Sequence, residues 1–313
     1  METEARQLIC PHCGKLISVP AELETFSCVY CGEKLSLDQC LPMAEAKPDA
    51  ADLAYVEAHL FDGIRNYPKY YRNFTRKKYE SSFRSYETGI EETVRALDRC
   101  ACAAPLQRDA LLDRFAEAFV QQWDSYHNTG ASPSAAEKQM FYNKMTLVWY
   151  TVPAIRDLGL SVSEDFAQRL TDAYNRRYPD SPFTAAAYED LRSGFHRGMC
   201  YITTAVCASE GKPDDCAELT AFRAFRDGWL ARTPHGKDLI ETYYDTAPAI
   251  VQAIRLSACP EEIYSRLRRT YLEPCYAALQ NARPELCCSV YQKMVRSLQT
   301  RFDLEEDERK IPS

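Results

Sequence analysis

The sequence predicts a mainly α-helical protein preceded by a small β unit at its amino terminus. Three observations carry this prediction. Only 11 glycines accompany 20 Tyr, 13 Phe and 3 Trp in 313 residues, whereas a β-rich chain of this size needs more glycine for its turns. From residue 51 onward apolar residues recur at three- and four-residue intervals, the period of a helix with one buried face. Beyond the first forty residues no long Val/Ile alternation supports a sheet. The length allows about two domains at roughly 100–200 residues each.

Apolar residues make up 46% of the chain and charged ones 27%, the balance of a protein that buries a core. Lys and Arg number 38 against 45 Asp and Glu, a net charge of −7. That balance argues against a general nucleic-acid coat, which needs a local cationic excess, and against adsorption to an anionic membrane. The opening METEARQLICPHC carries acidic residues and no apolar stretch of a signal peptide. Apolar runs also fall well short of the ~18 residues that cross a bilayer. The expected compartment is therefore cytoplasmic, with no membrane partner. Thiols stay reduced there, so the 14 cysteines read as metal ligands or buried thiols before disulfides.

Four of them, Cys10, Cys13, Cys28 and Cys31, form the frame CPHCG, thirteen residues, CVYCG. Two residues separate the thiols of each pair, so one tight turn aims both sulfurs at a single cation. Gly14 and Gly32 follow the second thiol of each pair, where the turn requires a positive φ. Residues 15–19 alternate enough for a strand that Pro20 stops, Leu23 and Phe26 can return toward the second pair, and Leu35 and Leu37 supply another short strand. Over residues 8–37 the pattern resembles a zinc ribbon. Four thiolates in a closed tetrahedron suit Zn²⁺ and leave no position for substrate, so the resemblance implies one structural zinc. Disulfides, or an iron centre of rubredoxin type, are the competing uses of the same frame. His12 lies inside the first turn and is expected in solvent; Cys40 is expected to be a spectator.

Residues 41–50, LPMAEAKPDA, read as a linker because of two prolines and no periodicity. A helical region over 51–195 follows. Phe83, Tyr86, Ile90, Val94 and Leu97 mark one helix, and Leu111, Leu112, Phe115, Phe119 and Trp123 the next. Ser134 with Glu137 suggests a capping box for another, and Ser163 before Glu164 opens the one after it. Within 61–90 seven Lys and Arg face three Asp and Glu. A nucleic-acid interface on the Arg65–Arg84 stretch, with Tyr70 or Tyr79 stacking on bases, is one use of that local +4. The helical spacing of the rings favours the plainer reading, in which the rings face the core and the bases face water.

The most distinctive string starts at Cys200: CYITTAVCASEGKPDDCAELTAFRAFRDGWL, continuing through TPHGKDLIETYYDTAPAIVQAI. It resembles the bacterial family of CFI-box C-terminal domains. The box reads Cys200-Tyr201-Ile202-Thr203-Thr204-Ala205, followed by Phe225-Arg226-Asp227, Leu230, Gly236, Tyr243-Tyr244 and Pro248. The likeness covers about residues 196–256, implies a helical domain over 196–313, and carries no chemistry. Arg223 and Asp227, four apart, are expected to pair on one helix, while Arg226 could reach across a groove.

Two sharper uses of these residues compete with packing. Cys200 is a candidate nucleophile, with His196 or His235 as base and Asp227 or Asp215 to orient it. Cys200, Cys207 and Cys216, with Asp214 or Asp215, are a candidate second metal centre, although six and eight intervening residues match no compact turn. Neither has a surrounding signature. The Leu286, Val290, Met294, Leu298 and Phe302 stripe and the remaining cysteines Cys100, Cys102, Cys287 and Cys288 read as core. The sequence thus predicts a non-catalytic interaction module that meets a protein partner through its zinc ribbon. Thiol chemistry at Cys200 is the second reading, and nucleic-acid binding the third.

Overall fold

The computed structural model describes residues 5–44, 47–128, 132–195 and 200–304. Two antiparallel hairpins open the chain. Strand β1 (Ala5–Ile9) pairs with β2 (Leu16–Pro20), and β3 (Thr25–Ser27) pairs with β4 (Lys34–Ser36). Ile9 lies opposite Leu16 and Ser27 opposite Lys34, so each hairpin closes on one cysteine pair. Leu8, Ile17, Val19 and Leu35 point inward and form a core of their own with Cys10, Cys28 and Cys40. So small a core supplies little stability by itself.

Of the expected linker at 41–50, residues 41–44 end one helix and residue 50 opens the next. Helix α1 spans Leu37–Ala44 and α2 spans Ala50–His59. The Gln39 side chain accepts from the Ser36 N–H at 2.9 Å, half of a capping box written Ser36-x-x-Gln39. Asp49 caps α2 by accepting from the Ala51 and Asp52 N–H groups.

The remaining helices are α3 (Asp62–Arg65), α4 (Tyr79–Ala103), α5 (Arg108–His127), α6 (Pro133–Thr146), α7 (Val152–Asp157), α8 (Ser163–Arg177) and α9 (Tyr188–Ser193). Then come α10 (Tyr201–Ser209), α11 (Ala217–Ala224), α12 (Gly236–Leu256), α13 (Pro260–Leu267), α14 (Glu273–Gln280) and α15 (Pro284–Phe302). The cap of α6 is Ser132, two residues before the expected Ser134, because Pro133 takes the first helical position.

Among the described residues, wide π turns sit at Leu147–Thr151, Phe225–Trp229 and Arg268–Leu272. Two of them run directly into a helix with proline in its first turn. Proline has no N–H to give to the carbonyl four residues back, and its ring crowds that carbonyl. At Pro153 the abandoned carbonyl belongs to Trp149, and the buried Tyr79 hydroxyl donates to it at 2.8 Å. The break in one helix is thus filled by a side chain from α4.

Buried residues from Val56 to Leu304 join a single core. The boundary read at 195/196 does not divide that core. Asp245 on α12 accepts from the Lys77 N–H at 2.9 Å, Arg76 pairs with Glu241, and Arg72 pairs with Asp303 after α15. The bases of the Arg65–Arg84 stretch are largely taken up in such contacts: Arg65 binds Asp62, and Arg84 binds Glu87 and Asp157. Tyr79 is buried and offers no face for a base.

Candidate metal centre

The two cysteine pairs lie in turns of the same design. Cys10 N–H donates to the Lys15 carbonyl at 3.0 Å, and Gly14 N–H returns to the Cys10 carbonyl at 2.8 Å. The second turn repeats this with Cys28 to Glu33 at 2.8 Å and Gly32 to Cys28 at 2.9 Å. Gly14 and Gly32 have φ of 71° and 76°, the left-handed region that a side chain would strain. Sequence spacing therefore dictates a local shape, and the shape turns the four thiols toward one another.

All four sulfurs lie within 4.8 Å of one another. Cys10 Sγ is 3.7 Å from Cys31 Sγ, and Cys13 Sγ is 3.6 Å from Cys28 Sγ. A tetrahedron with metal–sulfur bonds near 2.3 Å has edges of about 3.8 Å, so the sulfurs stand where one tetrahedral ion needs them. Disulfide bonds of about 2.05 Å do not fit these distances, and all fourteen cysteines are free thiols.

The electrostatics point the same way. The Cys31 backbone N–H, helped by that of Tyr30 and opposed by burial, holds Cys28 down at about 6. At Cys31 the Glu33 N–H pulls downward, but burial and the neighbouring thiols Cys28, Cys10 and Cys13 push the group up to about 12. Four sulfurs in contact cannot all ionise without a cation among them. Cys40 is fully buried in the same small core, yet it stands outside the four-sulfur group. Burial, then Cys10 and Cys28, push its thiol up. His12 is exposed.

The other candidate residues do not assemble as expected. His196 lies outside the described residues. His235 is exposed at the start of α12 and does not line the cavity that holds Cys200. Asp227 is turned to Arg226, which grips it with Nε at 2.7 Å and Nη2 at 2.8 Å. Arg223 does not pair with Asp227; it holds Asp214, through the carbonyl at 2.8 Å and the carboxylate at 2.6 Å. The π turn at Phe225–Trp229 explains this, because it rotates Asp227 away from the face that carries Arg223. Asp215 is exposed.

The second thiol cluster also differs from expectation. Cys207 and Cys216 come together with Glu218, not with Cys200 or either aspartate. Glu218 is already bound by Lys212 at 2.7 Å and by Arg268 at 3.2 Å. Two cations on its only carboxylate make this cluster a poor place for a dication. Glu218 follows Cys216 by two residues, a signal that spacing between cysteines alone does not reveal.

Fold and site together define a mainly α protein with a four-cysteine cluster close enough to hold one metal ion. Compared with protein-family models, curated proteins and solved structures, the chain matches none. Among the described residues no helix is long and apolar enough to cross a membrane.

Proposed function

We propose that the cluster holds one structural Zn²⁺ and that the ribbon it folds is a protein-docking module carried by the helical body. The observation that carries this reading is the closed group of four sulfurs, which leaves no coordination position for a substrate. The all-thiolate set and the edge lengths of 3.6 and 3.7 Å suit a tetrahedral ion that prefers sulfur, zinc or iron. Of these, zinc has no redox chemistry and serves structural sites. The reading places the chain in a reducing cytoplasm, where thiolates remain available to the metal. The CFI-box kinship of residues 196–256 belongs to the same proposal.

The docking face is the second cysteine turn. Val29 is 81% exposed and Tyr30 58%, and Leu16 and Leu23 on the same small unit are also in solvent. A protein surface is favoured over nucleic acid by charge. Residues 5–36 carry Arg6, Lys15 and Lys34 against Glu22, Glu24 and Glu33, and a zinc ion with four thiolates adds two negative charges. The unit has no cationic excess to attract phosphates, while an exposed Tyr is among the residues enriched at the centres of protein contacts. The test compares partners retained by the wild-type chain and by a Val29→Ser, Tyr30→Ser double variant, each checked for zinc. Loss of partners at unchanged zinc content is expected. Identical partners from both chains would contradict the docking face.

A further inference from the structure

A cavity of about 190 Å³ lies between α10, α11, α12 and α15. Phe222, Phe225, Leu230, Leu239, Ile240 and Val295 give it apolar walls. Into these walls the chain sets a compact polar corner. Tyr243 hydroxyl accepts from the Ile202 N–H at 3.1 Å and from the Tyr291 hydroxyl at 3.2 Å. Thr203 Oγ1 lies 3.3 Å from the Tyr291 hydroxyl, and Cys200 stands at the amino end of α10. The nine-residue α10 directs the positive end of its dipole toward this corner.

The charge of the lining decides what can enter. It contains two cations, Arg226 and Arg296, and no carboxylate, in a chain whose net charge is −7. Arg226 is bound to Asp227 and turns Nη1 toward the Cys200 sulfur at 3.5 Å. Arg296 is exposed and forms no ion pair among the described residues. A metal cation is repelled by such a lining. A wholly apolar guest would make no use of the two guanidinium groups. An acid with an apolar body uses both halves of the cavity, since a guanidinium matches a carboxylate with paired hydrogen bonds.

We propose that this cavity binds a small organic acid, an apolar body of roughly six to ten heavy atoms ending in a carboxylate, with Arg296 as its counter-ion. The size follows from volume. The cavity exceeds the ~150 Å³ that admits a benzene ring and stays below the ~300 Å³ at which drug-sized pockets begin. The site is independent of the zinc ribbon, and binding there involves no covalent step.

Calorimetry on the full zinc-loaded chain tests this with three probes: sodium octanoate, octan-1-ol and inorganic phosphate. Octanoate is expected to bind saturably at one site, octanol more weakly, and phosphate not measurably. Arg296→Gln should weaken octanoate about tenfold, the loss of one charge-assisted contact, and leave octanol unchanged. Leu239→Trp, at a half-buried wall position, should fill the cavity and abolish binding of octanoate; circular dichroism confirms that each variant folds. Equal affinity for octanol and octanoate overturns the proposal. So does octanoate binding unaffected by Arg296→Gln, or binding of phosphate alone. If Leu239→Trp fails to fold, the Arg296→Gln comparison decides.

Discussion

Arg226 places Nη1 3.5 Å from the sulfur of Cys200, and Cys200 in turn starts α10. A guanidinium and a helix amino terminus both favour a thiolate. Burial opposes them and wins: it pushes the Cys200 thiol up, and Arg226 and Arg223 pull it back only in part. Cys200 should therefore react slowly with iodoacetamide near neutral pH, behind the exposed Cys102 and Cys259. A time course of labelling read by peptide mass spectrometry checks this. Labelling of Cys200 ahead of both would restore it as a nucleophile.

Gly236 has a packing reason for being glycine. A Cβ at this position would stand 1.6 Å from the Leu230 carbonyl oxygen and 2.5 Å from Thr233 Oγ1. A backbone oxygen cannot swing aside as a side chain can, so Gly236→Ala must shift the turn between Leu230 and the start of α12. We expect a loss of about 2–4 kcal/mol in urea unfolding. The same substitution at Gly228, where a Cβ meets nothing within 4 Å, is the control and should change stability by less than about 1 kcal/mol.

Asp303 closes the helical body on itself. Its carboxylate accepts from the Tyr71 hydroxyl at 2.5 Å and pairs with Arg72, whose Nε also donates to the Asp303 carbonyl at 3.1 Å. Asp303 takes φ of 55°, so Asp303→Asn keeps a residue tolerant of that backbone while removing the charge. Asp303→Asn should cost about 1–3 kcal/mol, and Arg72→Leu should remove most of the difference between the two Asp303 forms. Additive losses in this double-mutant cycle would show that the two groups do not interact.

Lys144 is buried and has no carboxylate partner among the described residues. Its ammonium donates to the Ser181 carbonyl and hydroxyl, each at 2.7 Å, and burial lowers its pKa to about 8 from 10.5. A lysine lowered in the folded state binds fewer protons there than in the unfolded chain between these values. Stability attributable to Lys144 should therefore rise as pH goes from 8 to 10.5, on the order of 3 kcal/mol over the window. Comparing wild type with Lys144→Gln across that range isolates the effect from tyrosines and thiols that titrate alongside. A difference independent of pH would contradict it.

The parts legible in the sequence are those fixed by near neighbours. The four-cysteine frame, its two glycines and the helical periodicity all arise within a turn or two of chain. Residues that depend on distant partners were not legible: Cys40 is drawn into the ribbon core by packing, and Tyr79 meets Trp149 because a proline frees a carbonyl seventy residues away. The Arg223–Asp227 pairing fails because a π turn changes the helical period, which a fixed spacing of four cannot foresee. Helix α1 forms where composition reads as the end of the ribbon and a linker, and Ser36-x-x-Gln39 is the local signal that marks its start. The cavity beside Cys200 draws its lining from four helices, so no single motif announces it.

The central claim is a tetrathiolate zinc that folds the first forty residues. Structural zinc of this kind binds with an apparent ~10–16 kcal/mol and survives dialysis against metal-free buffer. The direct measurement is metal content per chain by elemental mass spectrometry on protein purified from zinc-replete cells, wild type beside Cys13→Ser, Cys28→Ser. One zinc per wild-type chain and none in the double variant is the predicted result; a wild-type chain without zinc, or a variant that retains it, would contradict the account.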